Sequence, residues 1–362
     1  MQLTWSGLGP GPVRFVAADT AVDVMADGGP GAVTLDHLPP ASNVAVTVSG
    51  EGWPGRPRRL LARTLTASPG AELYRMATVS DLHVGAAAFG YRNRMVDHAP
   101  DAADLHPMRC ARAALAEAQA WGAERVVVKG DVTHDGSQTQ WDLIGPILAE
   151  VTVPVDVVPG NHDRSIRRTV EPAAGLSRHG LTLVEGVRAI DLPGLRLVLA
   201  DTCRGERHGG SVAAVADRIC EVLACARTEG RPALLAVHHH FQSNDRRPLW
   251  PPGISAQEAT RFLDRAADAN PDLLVTSGHT HRHRRRRHGS VTLTQVGSTK
   301  DFPGVWAGYV VHEGGIRQVV RRVAEPSCME WTERTGDEVF GLWRHIAPGR
   351  LGDRCFSLTW GV

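Results

Sequence analysis

The chain has 362 residues, of which 42% are apolar and 22% charged; 40 basic groups stand against 39 acidic ones, a formal net charge of +1. That length accommodates one large domain with a smaller one, and the apolar fraction excludes wholesale disorder. A balanced charge provides no global field for nucleic acid, an anionic membrane or an acidic partner, and no run approaches the roughly 18 apolar residues that span a bilayer.

The opening residues, MQLTWSGLGPGPVRF, lack a basic segment followed by an apolar run, so no export signal is expected. Six cysteines (110, 203, 220, 225, 328 and 355) are scattered without a CxxC pair and read as free thiols. Together these lead to the expectation of a cytoplasmic protein. Residues 1–68 carry short alternating runs at 13–16, 21–25, 32–35, 43–48 and 60–66, separated by turns such as GGPG and LPPAS. This pattern predicts a small β-sandwich, followed by TASPGA (66–71) as a linker.

From Tyr74 the texture changes. MATVS (76–80), RVVVKG (125–130), VPVDVVPG (153–160), LRLVLAD (195–201), ALLAVH (233–238) and DLLVTSGH (272–279) read as buried strands. Ala-rich segments with helical spacing lie between them, at Pro107–Trp121, Val212–Arg227 and Ala256–Ala269. Repeated strand-then-helix order predicts a layered α/β domain over 72–325. Residues 326–362 form a Trp-rich tail whose Trp331, Phe340, Trp343, Phe356 and Trp360 call for packing on that domain.

The informative polar residues stand where apolar runs end. Asp81 and His83 follow MATVS, Asp131 follows VVVKG, Asn161 and His162 follow VVPG, His238 follows LLAV, and His279 and His281 follow LLVTSG. Ligands of α/β sheets bind beyond the carboxyl ends of strands, so groups up to 200 positions apart can converge there. Imidazole and carboxylate are accepted by manganese, iron and zinc, and an amide oxygen can complete a shell. Each fragment alone also reads as an ordinary strand-end turn; the ordered set D-x-H, GD, GNHD, H and GHTH does not.

On those motifs (Asp81-Leu-His83, Gly130-Asp131, Gly160-Asn161-His162-Asp163, His238, Gly278-His279-Thr-His281) the chain resembles the calcineurin-like metallophosphoesterase family over roughly 74–325. The resemblance implies a four-layer α/β/β/α sandwich, here preceded by the small all-β domain. It also implies two metal ions, one on Asp81, His83, Asp131 and His281, the other on Asp131, Asn161, His238 and His279. A metal-bound hydroxide would attack phosphorus, while His162 contacts the phosphate and protonates the leaving oxygen. Of three consecutive histidines His238 is chosen because it directly follows the apolar run, with His239 as the fallback.

Two positions depart from the family pattern. Where many members carry an aspartate three residues beyond the bridging ligand, to orient the catalytic histidine, this chain has His134; Asp163 and Asp135 are then the candidates for that role. Where many have proline two residues after the ligand histidine, it has His240. The N-terminal segment is similar to the fibronectin-type sandwich before some purple acid phosphatase domains, although His83 and the missing metal-binding tyrosine argue against their site. RHRRRRH (282–288) reads as a hairpin arm with solvated arginines rather than a nucleic-acid patch, and 85–98 as a long loop able to cover the site. The expected substrate is a small phosphodiester, cyclic nucleotides included. A phosphomonoester or phosphoprotein substrate, or a scaffold without turnover, is the alternative, and the N-terminal β domain leaves room for a protein partner.

Overall fold

The computed structural model describes residues 1–53, 55–205, 208–244 and 251–361. The N-terminal strands are all antiparallel: a four-stranded sheet ordered Thr20–Ala26, Gly11–Ala17, Asn43–Gly50, Arg58–Arg63, and a two-stranded one pairing Gln2–Trp5 with Gly31–Thr34. Along Asn43–Gly50 every second side chain (Val44, Val46, Val48) is buried, the period of a strand with one face in a core. Those valines join Val13, Phe15, Val33 and Leu35 in a core of their own.

Two six-stranded sheets carry the rest. The first runs Val155–Val158, Val126–Lys129, Glu72–Val79, Val305–His312, Gly315–Arg322, Phe356–Thr359, its first three strands parallel. The second runs Val187–Leu192, Leu195–Ala200, Ala233–Ala236, Leu273–Ser277, Val291–Gln295, Arg284–His288, with parallel inner strands and an antiparallel strand at each edge. Strand alternation dictates the layering. Val127, Leu197, Leu199, Leu234, Ala236 and Leu274 meet between the sheets, while Val126 and Val128 face helices His106–Ala120 and Gln138–Ala149. Leu235 and Val275 face helices Ala216–Thr228 and Ala256–Ala269. Strands wetted on neither face explain the unbroken apolar runs, and the result is the α/β/β/α sandwich.

The arginine run 284–288 is an edge strand, with Arg285 over the Phe356 ring and the Arg286 guanidinium donating to the Phe241 carbonyl. In the C-terminal segment Trp331 and Phe356 are buried, but Phe340 is fully exposed. No helix among the described residues is long and apolar enough to cross a membrane.

Candidate metal centre

Five parallel strands of the two sheets, Glu72–Val79, Val126–Lys129, Val155–Val158, Ala233–Ala236 and Leu273–Ser277, end along one edge of the sandwich, and each releases polar residues there. The chain must turn at once to bring those side chains together, and the backbone records the cost. Asp81, His83, Asp131, His279 and His281 all have φ between 49° and 68°. L residues pay about 1–2 kcal/mol each for the left-handed region, and Asp and His tolerate it better than most. Gly160 is required for a different reason: a Cβ there would lie 2.2 Å from both the backbone nitrogen and Oδ1 of Asp131.

Two overlapping groups of donors result. In the first, His281 Nε2 lies 3.5 Å from Asp81 Oδ1 and 3.2 Å from His83 Nε2, which is 3.6 Å from Asp131 Oδ2. In the second, His238 Nε2 lies 3.3 Å from Asp131 Oδ2 and 3.2 Å from Asn161 Oδ1, and its ring is 5.0 Å from that of His279. Ligand atoms of Asp81, His83 and His281 lie within 4.8 Å of one another, as do those of Asp81, Asp131 and His238. Donors about 2.1 Å from one ion are roughly 3.0–3.4 Å apart, so these spacings fit a metal better than mutual hydrogen bonds.

The outward faces of the rings point to the same chemistry. His238 Nδ1 donates to the Lys129 carbonyl (2.8 Å) and His279 Nε2 to the Pro252 carbonyl (3.0 Å), while His281 Nδ1 meets Asp301 Oδ2 at 2.7 Å. Each bond fixes a tautomer and turns the other nitrogen into the cluster. Asp81 Oδ2 accepts from Ser80 Oγ (2.6 Å) and from the His279 backbone amide.

Electrostatics make the same demand. Burial alone would raise the Asp131 carboxyl, but the His238 and His162 imidazoles hold it well below the usual range. Conversely, burial would lower His238 and His281, yet Asp131 raises the former to about 9, and Asp301 with Asp81 raises the latter to about 10. Protons at those rings supply positive charge that the buried carboxylates require and that a bound cation would replace.

All nine residues singled out in the sequence lie at this edge, with different roles open to them. Among the histidine triplet, His238 reaches Asp131 and Asn161, whereas His239 turns Nδ1 to Thr202 Oγ1 (2.9 Å) and leaves Nε2 buried near His279. His162 is half-buried, and its ring is oriented by neither Asp163 nor Asp135. Its Nδ1 bonds the backbone carbonyl of His134 at 2.7 Å. The Asp163 carboxylate instead accepts from the Thr133 amide and hydroxyl and the Gly160 amide, each at 2.8 Å. It ties the Asp131 loop to the Asn161 loop; burial, with Asp131 adding, raises it to about 6. His134 stacks near His162 and groups with His83 and His162.

Three features escaped the sequence motifs. Asp301, fully buried, braces His281 and also meets Lys300 Nζ at 3.3 Å. Lys300 in turn lies 5.0 Å from the Phe89 ring, which brings loop 85–98 beside the centre, and Tyr91 of that loop donates its amide to Glu338 of the C-terminal segment. His208 Nδ1 is 3.4 Å from Asn161 Nδ2. Asp301 obeys the rule that found the other residues, since GSTKD follows the strand Val291–Gln295; no comparable signal marks His208.

A probable cyclic nucleotide phosphodiesterase of Psychrobacter arcticus is 28% identical over 189 residues, which are 48% of this chain and 62% of that relative's length. Among solved structures, the purple acid phosphatase PPD1 of yellow lupin aligns over 90% of this chain and 70% of its own, with 12% identity and a TM-score of 0.47. GAP50, the anchor in the inner membrane complex of Plasmodium, aligns over 71% and 86% respectively, with 11% identity and a TM-score of 0.45. The profile of the calcineurin-like phosphoesterase superfamily domain matches residues 75–313, and the chain belongs to that superfamily.

Proposed function

We propose that this chain is a dinuclear metal-dependent phosphodiesterase acting on small phosphodiesters, cyclic nucleotides among them. The observation that carries the reading is the pair of donor groups sharing Asp131, three strands of one sheet meeting two of the other. Asp81, His83, Asp131 and His281 would hold one ion; Asp131, Asn161, His238 and His279 would hold the second. Manganese, iron and zinc all suit these donors. Bound there, such ions supply the Lewis acidity that makes water nucleophilic near neutral pH and offsets charge on the phosphoryl oxygens.

The protein's own groups do the rest. His162 donates its Nδ1–H to the His134 carbonyl in a hydrogen bond, so with the ring protonated on both nitrogens Nε2–H is the proton available to the departing oxygen. Its backbone amide donates to Asp131 Oδ1 (2.8 Å), so the acid and the shared carboxylate move as one unit. Asp163, bonded to both loops, holds the spacing between them. The description of the Psychrobacter relative favours a diester and, within diesters, a cyclic nucleotide.

The test is hydrolysis of bis(p-nitrophenyl) phosphate beside p-nitrophenyl phosphate by metal-stripped protein, with and without Mn²⁺, and by His279→Ala. Mn²⁺-dependent turnover that favours the diester and disappears in His279→Ala is expected. Preference for the monoester would make the chain a phosphatase, and turnover retained by His279→Ala would overturn the ligand assignment.

A further inference from the structure

Beside the candidate metal centre opens a cavity of about 290 Å³, whose lining shares only Asn161 with the proposed ligand set. Asn161 and His162 form its inner end, His134 and His208 line it, and Ile166 and Arg167 of the loop after GNHD stand at its lip. That loop is fastened on both sides. Ser165 donates its amide to the His162 carbonyl (3.1 Å), Arg164 pairs with Asp201 (2.7 Å), Arg168 pairs with Glu171 (2.9 Å), and Thr169 bonds the Gly136 carbonyl (3.3 Å). Between these anchors Ile166 is 78% exposed, and the Arg167 guanidinium has no acidic partner among the described residues. An isoleucine and an unpaired cation held out on a fastened loop add little to folding. Their position at the mouth of a site is what recognition of a ligand requires.

We infer that this cavity is the subsite for the nucleoside moiety of the diester, and that it takes a flat heterocycle; the inference rests on the phosphodiesterase reading above. The His134 and His162 rings, 5.5 Å apart and 27° from parallel, offer a layered aromatic wall for such a group. Ile166 covers its apolar face. Arg167 provides donors, and Asp135, which also lines the cavity, provides an acceptor for the polar edge of a base. A methyl or ethyl ester would leave these groups in water, so discrimination between diesters resides in this lip while the metal centre treats all of them alike.

Two diesters with one leaving group isolate the effect: thymidine 5′-(p-nitrophenyl) phosphate and methyl p-nitrophenyl phosphate. Full-length Mn²⁺-loaded protein should favour the nucleoside ester in kcat/KM. Ile166→Ala and Arg167→Ala should each cut the ratio of the two kcat/KM values about tenfold, the size of a lost side-chain contact in a specificity pocket. Calorimetry supplies a readout without turnover, in which thymidine 5′-monophosphate should lose affinity relative to inorganic phosphate in both variants. An unaltered chain that hydrolyses both diesters, with the ratio unmoved in either variant, would overturn the subsite alone. Equal losses on both esters would also overturn it, by showing that the loop merely positions His162. An unaltered chain inert towards both diesters would defeat the phosphodiesterase reading itself.

Discussion

Asp301→Asn probes a residue that no motif marks and that touches no predicted substrate position. The carboxylate is fully buried, takes the Nδ1 proton of His281 at 2.7 Å and lies 3.3 Å from Lys300 Nζ. Burial would lower His281, and Asp301 acts with Asp81 to raise it to about 10, so removing one of two carboxylates weakens its hold on any positive charge. Asparagine can still accept hydrogen bonds. Both contacts fall on Oδ2, so an asparagine carbonyl placed there keeps them; what is lost is the carboxylate's charge, and the amide nitrogen takes the place of Oδ1, which is buried without a hydrogen-bond partner. Carboxylates that brace a metal-bound imidazole contribute about 10–100-fold in affinity, or about 1.4–2.7 kcal/mol.

The loss should fall on one ion. His281 stands with Asp81 and His83, whereas His238 and His279 are braced by the carbonyls of Lys129 and Pro252, which the substitution leaves in place. Titration of metal-stripped protein with Mn²⁺ against a chelating dye should therefore show one site weakened about 10–100-fold and the other within a factor of a few of its original affinity. Thermal melts of both stripped proteins establish whether the fold is retained. Two unweakened sites in a folded variant would refute the bracing role, and equal weakening of both would refute the division into two donor groups.

Replacing His162 with alanine should leave metal content intact and lower kcat about 10²–10⁴-fold on diesters with an alkyl leaving oxygen, such as a cyclic 3′,5′-nucleotide, with a far smaller loss on p-nitrophenyl esters. Equal losses on both would count against proton donation. Lys129, fully buried between the sheets and bonded to Thr276 Oγ1 (3.0 Å) and the Ser277 carbonyl (3.1 Å), is pushed down to about 7 by burial, with Asp81 opposing. Its folded value lies below its unfolded one, so its contribution to stability is complete above about pH 10 and lost as pH falls through 7. Between pH 7 and 9.5, denaturant unfolding of the wild type should gain on the order of 3 kcal/mol relative to Lys129→Met. A constant difference between the two proteins would refute the burial argument.

The proposed ligand positions are legible as strand ends because strands buried on both faces leave no room for polar residues until they end. Asp81, Asp131, Asn161, His238 and His279 therefore stand out against unbroken apolar runs. Asp301 did not stand out, because its strand reads VTLTQ, and Thr292 and Thr294 disguise a fully internal strand. The hairpin Val305–His312 and Gly315–Arg322 was unmarked for a related reason: its second strand mixes Arg317, Arg321 and Arg322 with apolar residues, and its first strand pairs with Glu72–Val79, more than 200 residues earlier. Helix Gln138–Ala149 carries Gly145 and Pro146, residues that weaken a helical pattern, yet Trp141, Ile144 and Leu148 bury its inner face. The partner of His162 was beyond reach in principle. A backbone carbonyl has no residue identity, so reasoning from side chains turned to Asp163, which is occupied with backbone amides instead.

The same physics explains why one carboxylate is shared. Two sheets packed face to face bring two sets of strand ends to a single line, and the strand Val126–Lys129 is flanked in its sheet by Glu72–Val79 and Val155–Val158. Asp131 therefore leaves its strand between the Asp81–His83 turn on one side and the Asn161 turn on the other, while His238 approaches from the second sheet. Among the described residues, no other strand end of the first sheet lies between two turns that carry proposed ligands. Five left-handed ligand residues at about 1–2 kcal/mol each represent strain comparable with the whole stability of a domain. Sequence variation would relieve that strain by substituting glycine, but glycine carries no donor atom. Aspartate and histidine at these turns combine tolerance of the backbone with the ability to hold a cation, which is why five of the seven proposed ligands, Asn161 and His238 being the other two, stand at strained positions.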